Sequence, residues 1–140
     1  MDLQGITVEV SSKKFKFIHL NGAHVPYIYD KDMNIINELD GTYEQSAQAT
    51  MVGAMDYVEH LRNSEAYDNT VLIVMSDHGY NGSLGQSGEA TWMRQCALLL
   101  IKGRNEHHDT MQISQAPISF EDLQEAYVRL LDGRRSDEVF

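Results

Sequence analysis

The sequence contains a single cysteine, Cys96, so no disulfide bond can form within the chain. It has only two prolines, and it shows no internal repeat, no low-complexity tract and no linker rich in proline or glycine. Cys96 opens the apolar run CALLLIK, where a free cysteine normally behaves as a small buried hydrophobe. A disulfide framework is therefore excluded, and a thiolate nucleophile is disfavoured.

Long apolar runs and basic residues are also scarce. No window approaches the roughly 18 apolar residues that a membrane helix needs, and the opening MDLQGITVEVSSKK lacks a hydrophobic signal-peptide core. The 21 acidic residues outnumber the 11 Lys and Arg, which gives a formal net charge of −10. The negative charge repels the phosphate backbone of a nucleic acid, so nucleic acid is disfavoured as a partner. A metal cation suits this charge balance better. We expect the chain as given to be soluble.

The apolar residues that are present fall into three short runs. A chain of 140 residues with 42% hydrophobic residues is long enough for one domain with a core. The runs are continuous in their middle, which favours central strands covered on both faces and arranged in parallel. They are FKFIHL (15–20), VLIVMS (71–76) and CALLLIK (96–102).

A helix is predicted between the first two strands, over about residues 43–63, with Asp40 or Thr42 as its cap. Ala47, Met51, Met55 and Val58 fall near one apolar stripe of this helix, in line with Arg62. Val52, Ala54 and Leu61 broaden the stripe. Strand, helix, strand is the order that a right-handed parallel crossover requires.

A second helix is predicted near the end of the sequence. Ser119 and Asp122 have the spacing of a capping box, apolar residues follow at helical intervals, and Gly133 ends the pattern. The sequence therefore predicts an α/β fold with a mostly parallel sheet flanked by helices.

Polar residues follow two of the predicted strands directly. VLIVMS is followed by Asp77 and His78, and FKFIHL is followed by Asn21 and then His24. Ligand sites in open α/β sheets lie at the carboxyl ends of the strands, so parallel neighbours would bring these side chains to one rim. The loop GYNGSLGQSG, with four glycines, comes next and is predicted to be flexible.

Asp77 and His78 are candidate ligands of a divalent metal, since carboxylate and imidazole are common ligands of zinc or manganese. Adjacent residues in a strand point to opposite faces, so both reach one ion only if the chain turns, and Gly79 permits a turn. The alternative is that Asp77 caps a turn and His78 is an ordinary surface residue.

His24 lies in the motif H-x-P-Y, where Pro26 stiffens the loop and favours an extended Val25. A fixed imidazole suits hydrogen bonding to an anionic oxygen or proton transfer, although a histidine simply packed in a loop explains the motif as well. No functional role is predicted for the remaining histidines, which are His19, His60, His107 and His108.

The order of these motifs resembles a known family. FIHLNGAHVPY, a helix, YDNTVLIVMSDHG, a second apolar strand and APISFEDL are similar to the carboxyl-terminal half of the catalytic domain of the sulfatase-like branch of the alkaline phosphatase superfamily. That branch includes sulfatases, phosphoethanolamine transferases and lipoteichoic acid synthases. The resemblance covers about residues 15–131, and H-x-P-Y followed some fifty residues later by SDHG is its most specific part.

The resemblance implies a role for three residues. Asp77 and His78 match paired ligands of a divalent metal ion (zinc, manganese or calcium), and His24 matches a histidine that contacts the sulfate or phosphate ester substrate. It also implies an extracytoplasmic location for the full-length protein. In such enzymes an activated Thr, Ser or modified Cys attacks the sulfur or phosphorus and forms a covalent intermediate.

Two departures from the family pattern matter. Only 23 residues precede His24, and they contain nothing like the family's nucleophile or its remaining acidic ligand. After SDHG the family often has a further His or Lys, and GYNGSLGQSGEATWMRQ has neither; electrostatic substitution by Arg94 is the less favoured alternative. The expected partner is therefore a missing amino-terminal half of the same catalytic domain, and we expect the chain to be inactive alone and to self-associate through its unpaired sheet edge.

Two other interpretations compete with an enzyme half. One is a non-catalytic α/β binding module that keeps the fold without the chemistry. The other is an unrelated receiver-like or flavodoxin-like domain, which FKFIHLNG disfavours because it has neither a phosphate loop nor an acid cluster.

Overall fold

The computed structural model describes residues 14–80 and 97–140 of the chain. In chain order these contain helix α1 (Tyr43–Arg62), strand β1 (Leu72–Met75), strand β2 (Leu99–Lys102), helix α2 (Phe120–Leu131) and a short 3-10 turn (Ser136–Glu138). Two helices and a small sheet make the chain α/β in the general sense. The chain divides into two compact units, Met1–Tyr67 and Asp68–Phe140.

The first unit is built on α1, whose bounds agree with the predicted helix. Thr42 is the cap: its hydroxyl accepts a hydrogen bond from the Gln45 N–H at 3.2 Å, and the Gln45 side chain accepts one from the Thr42 N–H at 3.1 Å. This reciprocal pair satisfies two donors that a helix start would otherwise leave free.

The buried face of α1 differs from the predicted stripe. The buried residues of α1 are two small ones, Ser46 and Ala49, and two aliphatic ones, Val58 and Leu61. Val52 and Met55 are exposed. Small side chains allow close packing, so Ser46 reaches the Tyr29 carbonyl with its hydroxyl at 3.5 Å. The predicted stripe is wrong at Val52 and Met55 because hydrophobic character alone does not say which apolar face is covered.

The second unit contains the sheet and α2. β1 and β2 pair in an antiparallel register from Leu72 opposite Lys102 to Met75 opposite Leu99. The buried core of this unit comes from α2 and consists of Leu123, Ala126 and Leu130, the last with 0% of its surface exposed. α2 begins after Ser119, as predicted, and ends before Gly133, whose φ of 93° is the left-handed conformation that glycine adopts most easily.

Two strand predictions need correction. VLIVMS and CALLLIK do supply β1 and β2, but the pair is antiparallel rather than parallel. A continuous apolar run indicates burial and does not encode strand direction, and both strands are in fact only partly covered.

FKFIHL forms no strand in the described part of the chain, although residues 15–20 were predicted to be one. Phe15 and Phe17 are 92% and 77% exposed. A strand needs a neighbour for its backbone hydrogen bonds, and no described strand pairs with this segment.

Candidate functional site

Asp77 and His78 lie where β1 ends, in the second unit. β1 stops at Met75, one further ladder bond joins the Ser76 N–H to the Leu98 carbonyl at 3.1 Å, and the backbone then bends at Asp77 and His78. Because of the bend, the two side chains approach each other instead of pointing to opposite faces: Asp77 Oδ2 lies 3.7 Å from His78 Nε2. The predicted turn is present, and it falls one residue before Gly79.

Local hydrogen bonds orient both side chains. The His78 N–H donates to Asp77 Oδ1 at 3.1 Å, which leaves Oδ2 facing the imidazole. His78 Nδ1 lies 2.7 Å from the Gly79 carbonyl oxygen. A carbonyl oxygen can only accept, so Nδ1 carries the proton and Nε2 has a free lone pair in the neutral ring. The pair therefore presents one carboxylate oxygen and one imidazole nitrogen to the same volume.

This donor pair fits a divalent cation in chemistry and spacing. Zinc bonds to nitrogen or oxygen measure about 2.0 to 2.2 Å, so one ion can contact both atoms across the 3.7 Å gap. A backbone carbonyl that holds the second imidazole nitrogen is a common companion of metal-bound histidine. Within residues 14–80 and 97–140, however, no group of three or more His, Cys, Asp or Glu side chains is placed to hold a metal ion. Asp77 and His78 thus supply two ligands of a set that needs more.

His24 lies in the first unit, in the turn that follows residues 14–20. Gly22 packs so closely against the Thr50 side chain of α1 that a Cβ at Gly22 would clash with it, which holds this turn against the helix. His24 is exposed, and its Nδ1 lies 2.6 Å from the Val25 carbonyl oxygen. Nδ1 is therefore the donor here too, and Nε2 can donate to an anionic oxygen only when the ring carries a second proton. The Val25–Pro26 peptide bond is cis.

The three predicted site residues do not share one unit, since His24 belongs to the first and the Asp77 and His78 pair to the second. A shared rim for these three residues stays a prediction. Arg94, Cys96 and all of the glycine-rich loop beyond Tyr80 lie outside the described residues.

A buried acid, Glu106, was missed by the sequence analysis. It lies in the loop after β2, is 6% exposed, and accepts hydrogen bonds from the Gly103 N–H at 2.7 Å and from both the N–H and the hydroxyl of Ser136. His108, an exposed residue for which no functional role was predicted, contacts Glu106 with its Nε2 at 3.2 Å. The only hint in the sequence is a glycine three residues before an acid in GRNEHHDT, which is too common a pattern to predict burial.

The pKa of Glu106 results from opposing effects. Burial raises the pKa of its carboxyl, but hydrogen bonds from Ser136, His108 and Gly103 outweigh burial and hold the pKa below its ordinary value. Burial also lowers the pKa of Lys102 at the end of β2, where Lys102 Nζ donates to the Thr70 carbonyl at 3.1 Å. His107 is exposed and pairs with Asp68 at 3.3 Å.

A shallow groove of about 450 Å³ runs along α1 in the first unit. Its lining comes from one face of one helix and comprises Met51, Val52, Met55, Asp56 and Glu59, none of them a predicted site residue. We place the candidate site at Asp77 and His78, where a carboxylate oxygen and an imidazole nitrogen lie 3.7 Å apart.

Comparisons with known proteins identify no relative: no family model matches the sequence, and searches of curated proteins and of solved structures find no significant similarity. The family resemblance therefore rests on the motifs alone. Among the described residues, no helix combines the length and the apolar character needed to cross a bilayer.

Proposed function

We propose that this chain is the metal- and substrate-binding part of a sulfatase-like hydrolase or phosphotransferase that acts on sulfate or phosphate esters. Asp77 and His78 bind a divalent cation, and His24 contacts the anionic group of the substrate. The observation that carries the proposal is the separation of 3.7 Å between Asp77 Oδ2 and His78 Nε2 at the end of β1.

The local hydrogen bonds of the two histidines support these roles. Each donates from Nδ1 to the carbonyl of the following residue, His24 to Val25 and His78 to Gly79. Each imidazole is thereby oriented before any ligand arrives. The Nε2 lone pair of His78 is available to a cation, and His24 Nε2 meets a substrate oxygen as an N–H donor when the ring carries a second proton. When bound, a divalent cation supplies positive charge that offsets the negative charge of the transferred group.

The exposed FKFIHL segment supports membership in a larger sheet. Phe15 and Phe17 are the kind of side chains that a central strand buries, yet here they lie in solvent. Within the proposal, this segment and β1 belong to a mostly parallel sheet that an amino-terminal half of the catalytic domain completes. That half also supplies the nucleophile and the remaining acidic ligands, and the full-length protein works outside the cytoplasm.

A titration with Mn²⁺ monitored by NMR tests the metal pair directly. Mn²⁺ is paramagnetic and broadens nearby resonances even when it binds weakly, as a site with two ligands does. We expect the amide signals of Asp77 and His78 to broaden first in the unsubstituted chain, and this selective broadening to disappear in Asp77→Ala.

Asp132→Ala is the matched control, since it removes the same charge from another exposed position of the second unit. It should leave the broadening at His78 unchanged. Broadening spread evenly over acidic residues, or persisting at His78 in Asp77→Ala, would contradict the proposal and favour a binding module without metal chemistry.

A further inference from the structure

The buried carboxylate of Glu106 makes several polar contacts. Its Oε2 accepts from the Gly103 N–H at 2.7 Å and from the Ser136 N–H at 3.3 Å. Its Oε1 accepts from the Ser136 hydroxyl at 2.5 Å and lies 3.2 Å from His108 Nε2. One acid therefore joins the loop after β2 to a segment thirty residues further along the chain.

The segment that Glu106 holds comprises residues 134–140 and is called the Ser136 turn here. At its start, the Arg134 N–H donates to the Arg129 carbonyl at 3.1 Å, next to the end of α2. Two further links to the second unit are exposed: an Arg129 guanidinium N–H donates to the Glu138 carbonyl at 3.4 Å, and the Ser114 hydroxyl donates to the Phe140 carbonyl at 3.3 Å. Exposed contacts of this length contribute little because water competes for both partners. The buried contacts with Glu106 are accordingly the main attachment.

We propose that Glu106 is an acid-sensitive latch, which as a carboxylate holds the Ser136 turn against the loop after β2 and as a carboxylic acid releases it while α2 stays folded. Protonation replaces one acceptor lone pair by an O–H donor. The N–H groups of Gly103 and Ser136 cannot accept from that donor, and every contact that remains loses the negative charge that strengthened it, so the hold on the turn weakens.

Positive charge on Lys102 and Arg135 favours the closed latch, and nearby acids compete for that charge. Lys102 faces it from β2, Arg135 from the turn and His108 from its own loop. Asp68 also faces Lys102, and Asp137 and Glu138 of the turn also face Arg135, so these acids share the positive charge. The opening event is therefore protonation of Glu106 itself.

The sign of the pH dependence follows from the direction of the shift. The pKa of Glu106 is lowered from its ordinary 4.5. A lowered pKa in the folded state means that the stabilisation is fully present above 4.5 and is lost as the pH falls through the folded value. The latch is closed at neutral pH and opens in acid.

Hydrogen exchange measured by NMR on the whole chain tests the latch. In Glu106→Gln at pH 7, we expect the amides of Ser136 and Val139 to lose at least about tenfold in protection, while interior amides of α2 keep theirs. The unsubstituted chain should show the same selective loss when the pH is lowered through the folded-state pKa of Glu106, which lies below 4.5. Ser136→Ala removes one of the contacts and leaves the carboxylate charged, so it should reduce the protection of the turn by a smaller factor. This variant replaces Glu106→Gln in the test if Glu106→Gln does not fold.

Glu121→Gln is the control, because it makes the same charge change at an exposed position in the first turn of α2. It should leave the Ser136 turn protected. The proposal is overturned if the turn keeps its protection in Glu106→Gln, or if α2 loses protection together with the turn, since either result means that Glu106 does not control the turn separately.

Discussion

His78 Nε2 lies 3.7 Å from Asp77 Oδ2 because the backbone bends immediately after β1 and the His78 N–H holds the other carboxylate oxygen. Two neighbouring residues of a straight strand would place these atoms on opposite faces of the sheet. The bend therefore converts a common dipeptide into two ligand atoms that one cation can share, and it makes the Asp77 carboxylate the most informative position to change.

Asp77→Asn tests the proposed metal-ligand role in a protein that also carries the proposed amino-terminal half. The substitution keeps the shape of the side chain but removes the charge that a cation requires, so we expect kcat/KM for a nitrophenyl sulfate or phosphate ester to fall on the order of 100-fold or more. Asp132→Asn is the matched control and should change kcat/KM little. Unchanged activity in Asp77→Asn would rule out a ligand role.

Gly103→Ala tests how tightly Glu106 is packed. A Cβ at Gly103 would lie 2.6 Å from Glu106 Oε2, so the carboxylate must move away from the Gly103 N–H. We expect the free energy of unfolding in urea, followed by circular dichroism, to fall by about 1 to 3 kcal/mol.

Gly53→Ala is the control for that substitution. Gly53 lies inside α1, where a Cβ would meet the flexible end of Met33 at 3.4 Å, an ordinary contact. Alanine is the better helix former by about 1 kcal/mol, so this variant should be as stable as the parent or more so. An equal loss in both variants would show that the clash with Glu106 is not the cause.

Gly133→Ala tests the end of α2. The φ of Gly133 is 93° and no atom lies within 4 Å of a Cβ built there, so the cost comes from the backbone conformation alone. We expect a loss of about 1 kcal/mol in the free energy of unfolding. Gly133→Asn should cost less, since asparagine tolerates the left-handed region better, and an Asn variant that is less stable than the Ala variant would contradict this explanation.

Asp122 offers a test by titration at the start of α2. Hydrogen bonds from the Ser119 N–H and hydroxyl, both 2.8 Å, hold the pKa of the Asp122 carboxyl below its ordinary 3.8. The stabilisation they give is present above pH 3.8 and disappears as the pH falls through the folded value. NMR should show the titration midpoint of Asp122 below 3.8, and Ser119→Ala should move it upward. If the titration midpoint of Asp122 is the same in Ser119→Ala, the Ser119 hydroxyl does not contribute to the lowered pKa.

The helices could be predicted from sequence because the interactions that set their ends are local. Thr42 pairs with Gln45 and Ser119 with Asp122, each three residues apart, and Gly133 takes the conformation that stops α2. Such contacts form wherever the residue types occur at that spacing, since no distant part of the chain is needed. The bend at Asp77 and His78 is local in the same sense.

The pairing of the strands and the burial of Glu106 depended on contacts between distant parts of the chain. The apolar runs gave β1 and β2 but not their antiparallel pairing, and FKFIHL has no strand neighbour in the described residues. Glu106 is buried beside Ser136, which returns to it from thirty residues away. By itself the sequence determined the helices, their caps and the position of Asp77 and His78 after β1. Strand pairing and the environment of a buried acid were decided by tertiary structure, because both depend on which partners the folded chain brings within hydrogen-bonding distance.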